Sequence, residues 1–87
     1  MKLIIPESLK AKARGQKEIE LSANNMEEFK KLLKEKEHEL YIRVYDEKGN
    51  QRKFVNIYLN DKNIKYTDKN EIANDDRMTL ITAVAGG

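Results

Sequence analysis

The 87-residue sequence contains no cysteine and no tryptophan, and it has a single histidine, His38. Without cysteine, disulfides, thiolate nucleophiles and iron–sulfur clusters are excluded. The lack of cysteine does not indicate whether the protein works in an oxidising or a reducing compartment. One histidine cannot assemble the usual zinc ligand set, so we expect no metal. No apolar run approaches the ~20 residues of a membrane helix, and the apolar run at the N-terminus is too short to be the core of a signal peptide. These absences predict a cytoplasmic protein that binds neither a metal nor a membrane.

One-sided charge is also lacking. Lys and Arg total 17 against 15 Asp and Glu, which leaves a net charge of +2. A nucleic-acid-binding protein normally shows a clear basic excess. The small basic cluster at Lys10, Lys12 and Arg14 has no aromatic residue between its charges for base stacking. We therefore expect no nucleic-acid partner.

The size of the chain limits its chemistry. A hydrophobic content of 39% suffices for one small core, and a chain of this length buries only about 60% of its extended surface. A second domain and a large enzyme cleft do not fit this limit. We expect one domain over residues 1–84, no bound cofactor and no enzymatic activity of its own.

Hydrophobic periodicity predicts several strands and one main helix. Residues 24–36 begin with two asparagines, each followed three residues later by glutamate, which is the spacing of a helix N-terminal capping box. Apolar residues then recur at helical intervals, so we predict a helix over residues 25–36. Alternating or continuous apolar runs predict strands at residues 2–5, 17–22, 54–59 and 78–84.

The secondary structure of three segments is predicted less clearly. Residues 7–16 have the composition of a polar connection. Residues 40–46 fit either a strand or a helical turn, and residues 64–66 fit a short additional strand. These alternatives leave the number of strands at four or five.

The order of these elements predicts the fold class. The first and last strands are the most continuously apolar, which suits central positions in a sheet. Because the connection between them contains the helix, neighbouring placement makes them parallel. We therefore predict an α+β fold of the β-grasp, ubiquitin-like type. It has a mixed sheet of four or five strands, with one main helix packed across one face.

Ordinary catalytic patterns are weak. Ser8 and Ser22 lack the Gly-x-Ser-x-Gly context of a serine hydrolase. Asp75 and Asp76 are adjacent in a polar stretch, which is typical of a turn more than of a metal site. His38 lies in a Lys- and Glu-rich stretch and is interpreted as a solvated residue at the helix end.

The sequence Gly86-Gly87 is more specific. Random usage makes a diglycine at a given place a roughly 0.5% coincidence. A segment without side chains can thread a narrow tunnel and present a carboxylate inside another protein. We predict that residues 85–87 form a flexible tail whose functional residues are Gly86 and Gly87. A frayed end is the alternative.

Two blocks resemble the β-grasp sulfur carriers, a family that includes the small subunit of molybdopterin synthase and the thiamine-pathway sulfur carrier. These are residues 54–61, Phe-Val-Asn-Ile-Tyr-Leu-Asn-Asp, and residues 79–87, which end in Ala-Val-Ala-Gly-Gly. Residues 5–10, 15–17 and 46–49 resemble the branch that feeds a cysteine synthase.

This resemblance implies a mechanism and partners. A ubiquitin-activating-type enzyme would use ATP to adenylate the Gly87 carboxylate, and a persulfide donor would convert it to a thiocarboxylate. The sulfur would then pass to an acceptor, with a cysteine synthase-like enzyme favoured over the molybdopterin synthase large subunit or a thiazole-forming enzyme. The alternative is a ubiquitin-like modifier that forms isopeptide bonds through Gly87.

A docking surface is also expected beside the tail. If the alternating residues Val55, Ile57 and Leu59 face the helix, the residues between them face outward. An exposed aromatic and aliphatic patch on so small a domain is typical of a partner interface. The candidate partner-binding residues are Phe54, Tyr58, Ile81, Ala83, Val84 and Ala85.

Overall fold

The computed structural model describes residues 1–68 and 70–83. The predicted end of the last strand at Val84 and the predicted tail at residues 85–87 lie outside the described residues. The elements in chain order are β1 (Lys2–Ile4), a first 3₁₀ helix (Glu7–Ala13), β2 (Glu18–Glu20), α1 (Met26–Lys36), α2 (His38–Val44), β3 (Val55–Leu59), β4 (Lys62–Asn63), a second 3₁₀ helix (Ile64–Tyr66) and β5 (Arg77–Thr82).

The strands form one mixed sheet in the order β2-β1-β5-β3-β4. β1 runs parallel to β5, and the other neighbouring pairs are antiparallel. This confirms the prediction that the first and last strands form a parallel pair near the centre of the sheet. The two strands run parallel because the helical crossover lies between them in sequence. Across the described residues, no helix is both long enough and apolar enough to cross a membrane.

Helix α1 begins where the sequence predicts. The Asn25 side chain accepts a hydrogen bond from the Glu28 amide at 2.9 Å, and the Glu28 carboxylate accepts one from the Asn24 amide at 2.9 Å. This reciprocal pair satisfies amides that have no partner within the helix. Phe29 and Leu33, one turn apart, point into the core and are fully buried.

The ambiguous residues 40–46 belong mainly to a second helix, α2. Leu40, Tyr41 and Val44 are buried, and this i, i+1, i+4 spacing places them on one helical face. A strand would have separated Leu40 and Tyr41 onto opposite faces. α2 packs against α1 and adds a second helical element to the same side of the sheet.

Two connections differ from the predictions. Residues 7–16, expected to be a polar connection, contain a 3₁₀ helix because Leu9 and Ala13 reach the core. Residues 64–66, expected as a possible strand, form a 3₁₀ helix capped by the Asn63 side chain, which accepts from the Lys65 amide at 3.0 Å. The short strand β4 lies just before it.

A bidentate ion pair ties the first 3₁₀ helix to the junction of α1 and α2. Both guanidinium nitrogens at the end of Arg14 donate to the Glu37 carboxylate, at 3.0 and 2.9 Å. Glu37 is only 8% exposed. Hydrogen bonding to this carboxylate, with its charge, raises the pKa of Arg14 above its ordinary value. The pair therefore supplies a partner for a buried carboxylate.

Candidate functional site

The end of β5 positions the segment that leads to Gly86-Gly87. β5 lies at the centre of the sheet, between β1 and β3. Its last residue, Thr82, is paired with Val55. The Ala83 amide then donates to the Phe54 carbonyl at 2.7 Å. The backbone is thus held by hydrogen bonds up to Ala83, and the residues beyond it start from a defined point.

A second contact holds the same point. The hydroxyl oxygens of Ser8 and Thr82 lie 2.6 Å apart and share a hydrogen bond. Ser8 belongs to the first 3₁₀ helix, so this bond joins that helix to the last residue of β5. The sequence does not reveal this pair, because the two residues are 74 positions apart and no local pattern connects them.

The sheet face opposite the helices carries the predicted docking residues. Val55, Ile57 and Leu59 are buried against the helices, as expected. Phe54 is 61% exposed and Ile81 is 44% exposed.

These two exposed residues lie close together. Ile81 pairs with Asn56, two positions after Phe54, so Phe54 and Ile81 are diagonal neighbours on the open face. Ala83 is exposed beside them. We call Phe54, Ile81 and Ala83 the exit patch.

The remaining predicted residues are placed differently. Tyr58 is half-buried and pairs with Thr79, further along the strands from Ala83. It lies towards the middle of the open face and outside the exit patch. Val84, Ala85, Gly86 and Gly87 lie outside the described residues. A partner role for all these residues stays a prediction.

The side chains of the exit patch are suited to binding and include no reactive group. Its side chains are apolar, and the neighbouring hydroxyls of Ser8 and Thr82 bond to each other. Within residues 1–68 and 70–83, no group of three or more His, Asp or Glu side chains is arranged to hold a metal ion. The patch can therefore contact another protein, while any reacting group has to come from elsewhere.

The residues considered for other chemistry have structural roles. The Asp76 carboxylate accepts from the Ala73 amide at 2.8 Å and from the Asn60 side chain at 3.1 Å, which is turn chemistry. His38 does not trail the first helix: it is the first residue of α2, exposed, with its ring stacked 6.1 Å from that of Tyr41.

Comparison with known proteins identifies the family. The sequence matches the ThiS family over residues 3–87. No curated protein matches it. A chain in the crystal structure of the Amycolatopsis orientalis BexX/CysO complex is 25% identical, with a TM-score of 0.84 over 99% of this chain and 98% of that one. Mycobacterium tuberculosis CysO is 28% identical, with a TM-score of 0.82 over 95% of this chain and 98% of that one.

A modifier protein shares the same fold. The small archaeal modifier protein 1 from Methanosarcina acetivorans has a TM-score of 0.79 and 24% identity, covering 99% of this chain and 94% of that one. At this identity the likeness shows the fold alone. The family match, by contrast, spans all the described strands and helices except the start of β1. The chain belongs to the ThiS family and is a ubiquitin-like β-grasp protein of the sulfur-carrier type.

Proposed function

We propose that this protein carries sulfur as a thiocarboxylate on Gly87. The observation that carries the proposal is the ThiS family match through residue 87, on a fold whose central strand, β5, comes shortly before Gly86-Gly87 in the sequence. The exit patch at the end of that strand supports the proposal, since an apolar surface there suits a partner that must bind the domain while it takes up the tail.

The proposed chemistry starts with activation of a poor electrophile. An adenylating enzyme of the ubiquitin-activating type transfers AMP from ATP to the Gly87 carboxylate and releases pyrophosphate. The terminal sulfur of a donor persulfide attacks the acyl carbon, and AMP leaves. A second thiol of the donor then cleaves the sulfur–sulfur bond, which yields a disulfide and the thiocarboxylate.

The role of the domain itself is to present the Gly87 carboxylate to its partner enzymes. The partners provide the base, the nucleotide site and the persulfide, and ATP is used by the activating enzyme. Correct placement of a reacting group is itself a large contribution to rate. We propose a cysteine synthase-like acceptor, on the strength of the sequence blocks at residues 5–10 and 15–17. A molybdopterin synthase large subunit or a thiazole-forming enzyme are the other acceptors to test.

The product of the reaction tests this function. The full chain is incubated with ATP, a ubiquitin-activating-type enzyme and a persulfide donor, and its intact mass is measured. We expect the gain for one oxygen replaced by sulfur, located at Gly87 by fragmentation. Omission of ATP serves as the control. Lysine-linked conjugates without any thiocarboxylate would instead support the modifier function that the shared fold with the archaeal modifier suggests.

The exit patch provides a second prediction. We expect Phe54→Ser together with Ile81→Ser to raise the KM for the carrier in the adenylation reaction by about tenfold, with kcat little changed, because the lost contacts serve binding. Tyr66→Ser is the matched control: Tyr66 is 85% exposed but lies on the second 3₁₀ helix. Equal KM values for the double variant and the control would remove the exit patch from the interface.

A further inference from the structure

A groove on the helical side of the molecule is not used by the proposed chemistry. It runs between α1, α2 and the turn that follows α2. Two adjoining depressions of about 390 and 270 Å³ share Lys34, Tyr41 and Glu47 in their walls. One extends along α1 to Lys31 and the other extends past α2 to Arg52. The groove is therefore elongated.

The groove has a positive charge excess. Its cations are Lys30, Lys31, Lys34, Lys48 and Arg52, and its carboxylates are Glu27, Asp46 and Glu47. The excess of two equals the net charge of the whole chain, so the rest of the surface is balanced. In the part of the chain that the structure describes, none of these five cations has a carboxylate within 4.0 Å.

One carboxylate of the groove, that of Asp46, is hydrogen-bonded to backbone amides. Asp46 accepts hydrogen bonds from the Lys48 and Asn50 amides, both at 2.9 Å, and so closes the turn after α2. Lys30 donates to the Gly49 carbonyl from the opposite wall. Gly49 has a positive φ of 81°, and a Cβ there would lie 3.0 Å from the Lys30 ammonium. These bonds hold the turn against α1, so the groove is preformed.

Aromatic rings form the floor. The Lys30 ammonium lies 5.1 Å from the centre of the Tyr45 ring, and that of Lys34 lies 5.7 Å from the Tyr41 ring. The two rings are themselves 5.2 Å apart. Burial raises the pKa of Tyr45 to about 12, with Tyr41 adding to the shift, so the Tyr45 side chain is neutral at physiological pH.

The lysines that cover the two tyrosine rings favour a carboxylate ligand over a nucleic acid. Both tyrosines are buried, and lysine ammonium groups lie over their faces. Single-stranded nucleic acid binds through open aromatic faces on which bases stack. No such face is available on Tyr41 or Tyr45, whereas exposed ammonium groups are available for carboxylates.

We propose that this basic groove binds an acidic segment of a partner protein, with its carboxylates at Lys31, Lys34 and Lys48. Lys31 and Lys34 are three residues apart on α1, which places their side chains as neighbours about 5–6 Å apart at Cβ. Carboxylates on alternate residues of an extended peptide are about 6–7 Å apart and match this spacing.

One end of the groove lies at Arg52. Arg52 donates from Nε to the Ile42 carbonyl at 3.0 Å, and its own carbonyl accepts from Val55 at 3.2 Å. Phe54 lies two residues further along the chain. The inference does not rest on the proposed sulfur chemistry, because binding of an acidic segment is measured without any reaction at the tail.

A labelled oligoglutamate peptide is the probe, and binding is followed by fluorescence anisotropy and by amide NMR shifts at about 0.1 M salt, where long-range attraction is screened. We expect shifts confined to α1, α2 and the turn after α2. The double variant Lys31→Glu with Lys34→Glu weakens binding by about tenfold or more, because each change replaces an attraction with a repulsion.

The matched control is Lys62→Glu with Lys65→Glu, which makes the same charge change at exposed positions on β4 and the second 3₁₀ helix, outside the groove. We expect a loss of less than about twofold. Equal losses in the two double variants would show that only net charge matters and would overturn the site. An oligouridylate of equal charge that binds more tightly than oligoglutamate, with the same sensitivity to the groove variant, would overturn the peptide assignment in favour of nucleic acid.

Discussion

Adding one alanine after Gly87 is expected to reduce adenylation by about a hundredfold or more. The added residue carries a methyl group into the space meant for a tail without side chains, and it moves the carboxylate by one residue. Misplacement of a reacting group by an ångström or more costs a factor of this size. The measurement is ATP–pyrophosphate exchange with the full-length extended chain and a ubiquitin-activating-type enzyme.

The same variant also separates docking from chemistry. Its exit patch is unchanged, so it should inhibit adenylation of the wild-type chain with an inhibition constant close to the wild-type KM. Circular dichroism serves as the control for the fold, which we expect to be unaffected because the addition lies beyond β5. Normal adenylation of the extended chain would show that the activating enzyme does not require a tail without side chains that ends at residue 87.

Replacing Phe29 with alanine should cost about 3–5 kcal/mol in the free energy of unfolding. Phe29 is fully buried, and it lies on the face of α1 that packs on the sheet. Small domains have only about 5–15 kcal/mol of net stability, so the variant retains little margin. Urea denaturation followed by circular dichroism measures the change.

The chain offers a matched control for this substitution, since it has only two phenylalanines. Phe54→Ala removes the same atoms at a position that is 61% exposed, and it should change stability by less than about 1 kcal/mol. The contrast tests whether α1 is held by its apolar face. A loss below about 1 kcal/mol for Phe29→Ala would contradict the packing of α1 described above.

Local patterns were sufficient for the main helix and the central strands. The asparagine and glutamate spacing placed the start of α1 to within one residue, because the cap uses neighbours in sequence. Alternation also assigned Val55, Ile57 and Leu59 to the buried face. The same reasoning failed for residues 7–16, because Leu9 and Ala13 show no repeat that distinguishes a short buried helix from a connection.

Pairs that are distant in sequence were beyond such reasoning. Arg14 and Glu37 form an ion pair that supports a buried carboxylate, but they are 23 positions apart and no local pattern connects them. Ser8 and Thr82 likewise form their hydrogen bond only when the first 3₁₀ helix reaches the end of β5. These contacts follow from the course of the chain through space.

The sequence by itself determined the class of protein, the parallel pairing of its first and last strands and the diglycine that the proposed chemistry uses. Each of these depends on composition, on short-range periodicity or on the family blocks. The tertiary structure alone decided that residues 40–46 belong mainly to a helix, that Tyr58 lies outside the exposed patch of Phe54 and Ile81, and that five cations line one groove. The physical reason is that exposure and charge clustering depend on which distant segments pack together, and local spacing carries no record of that packing.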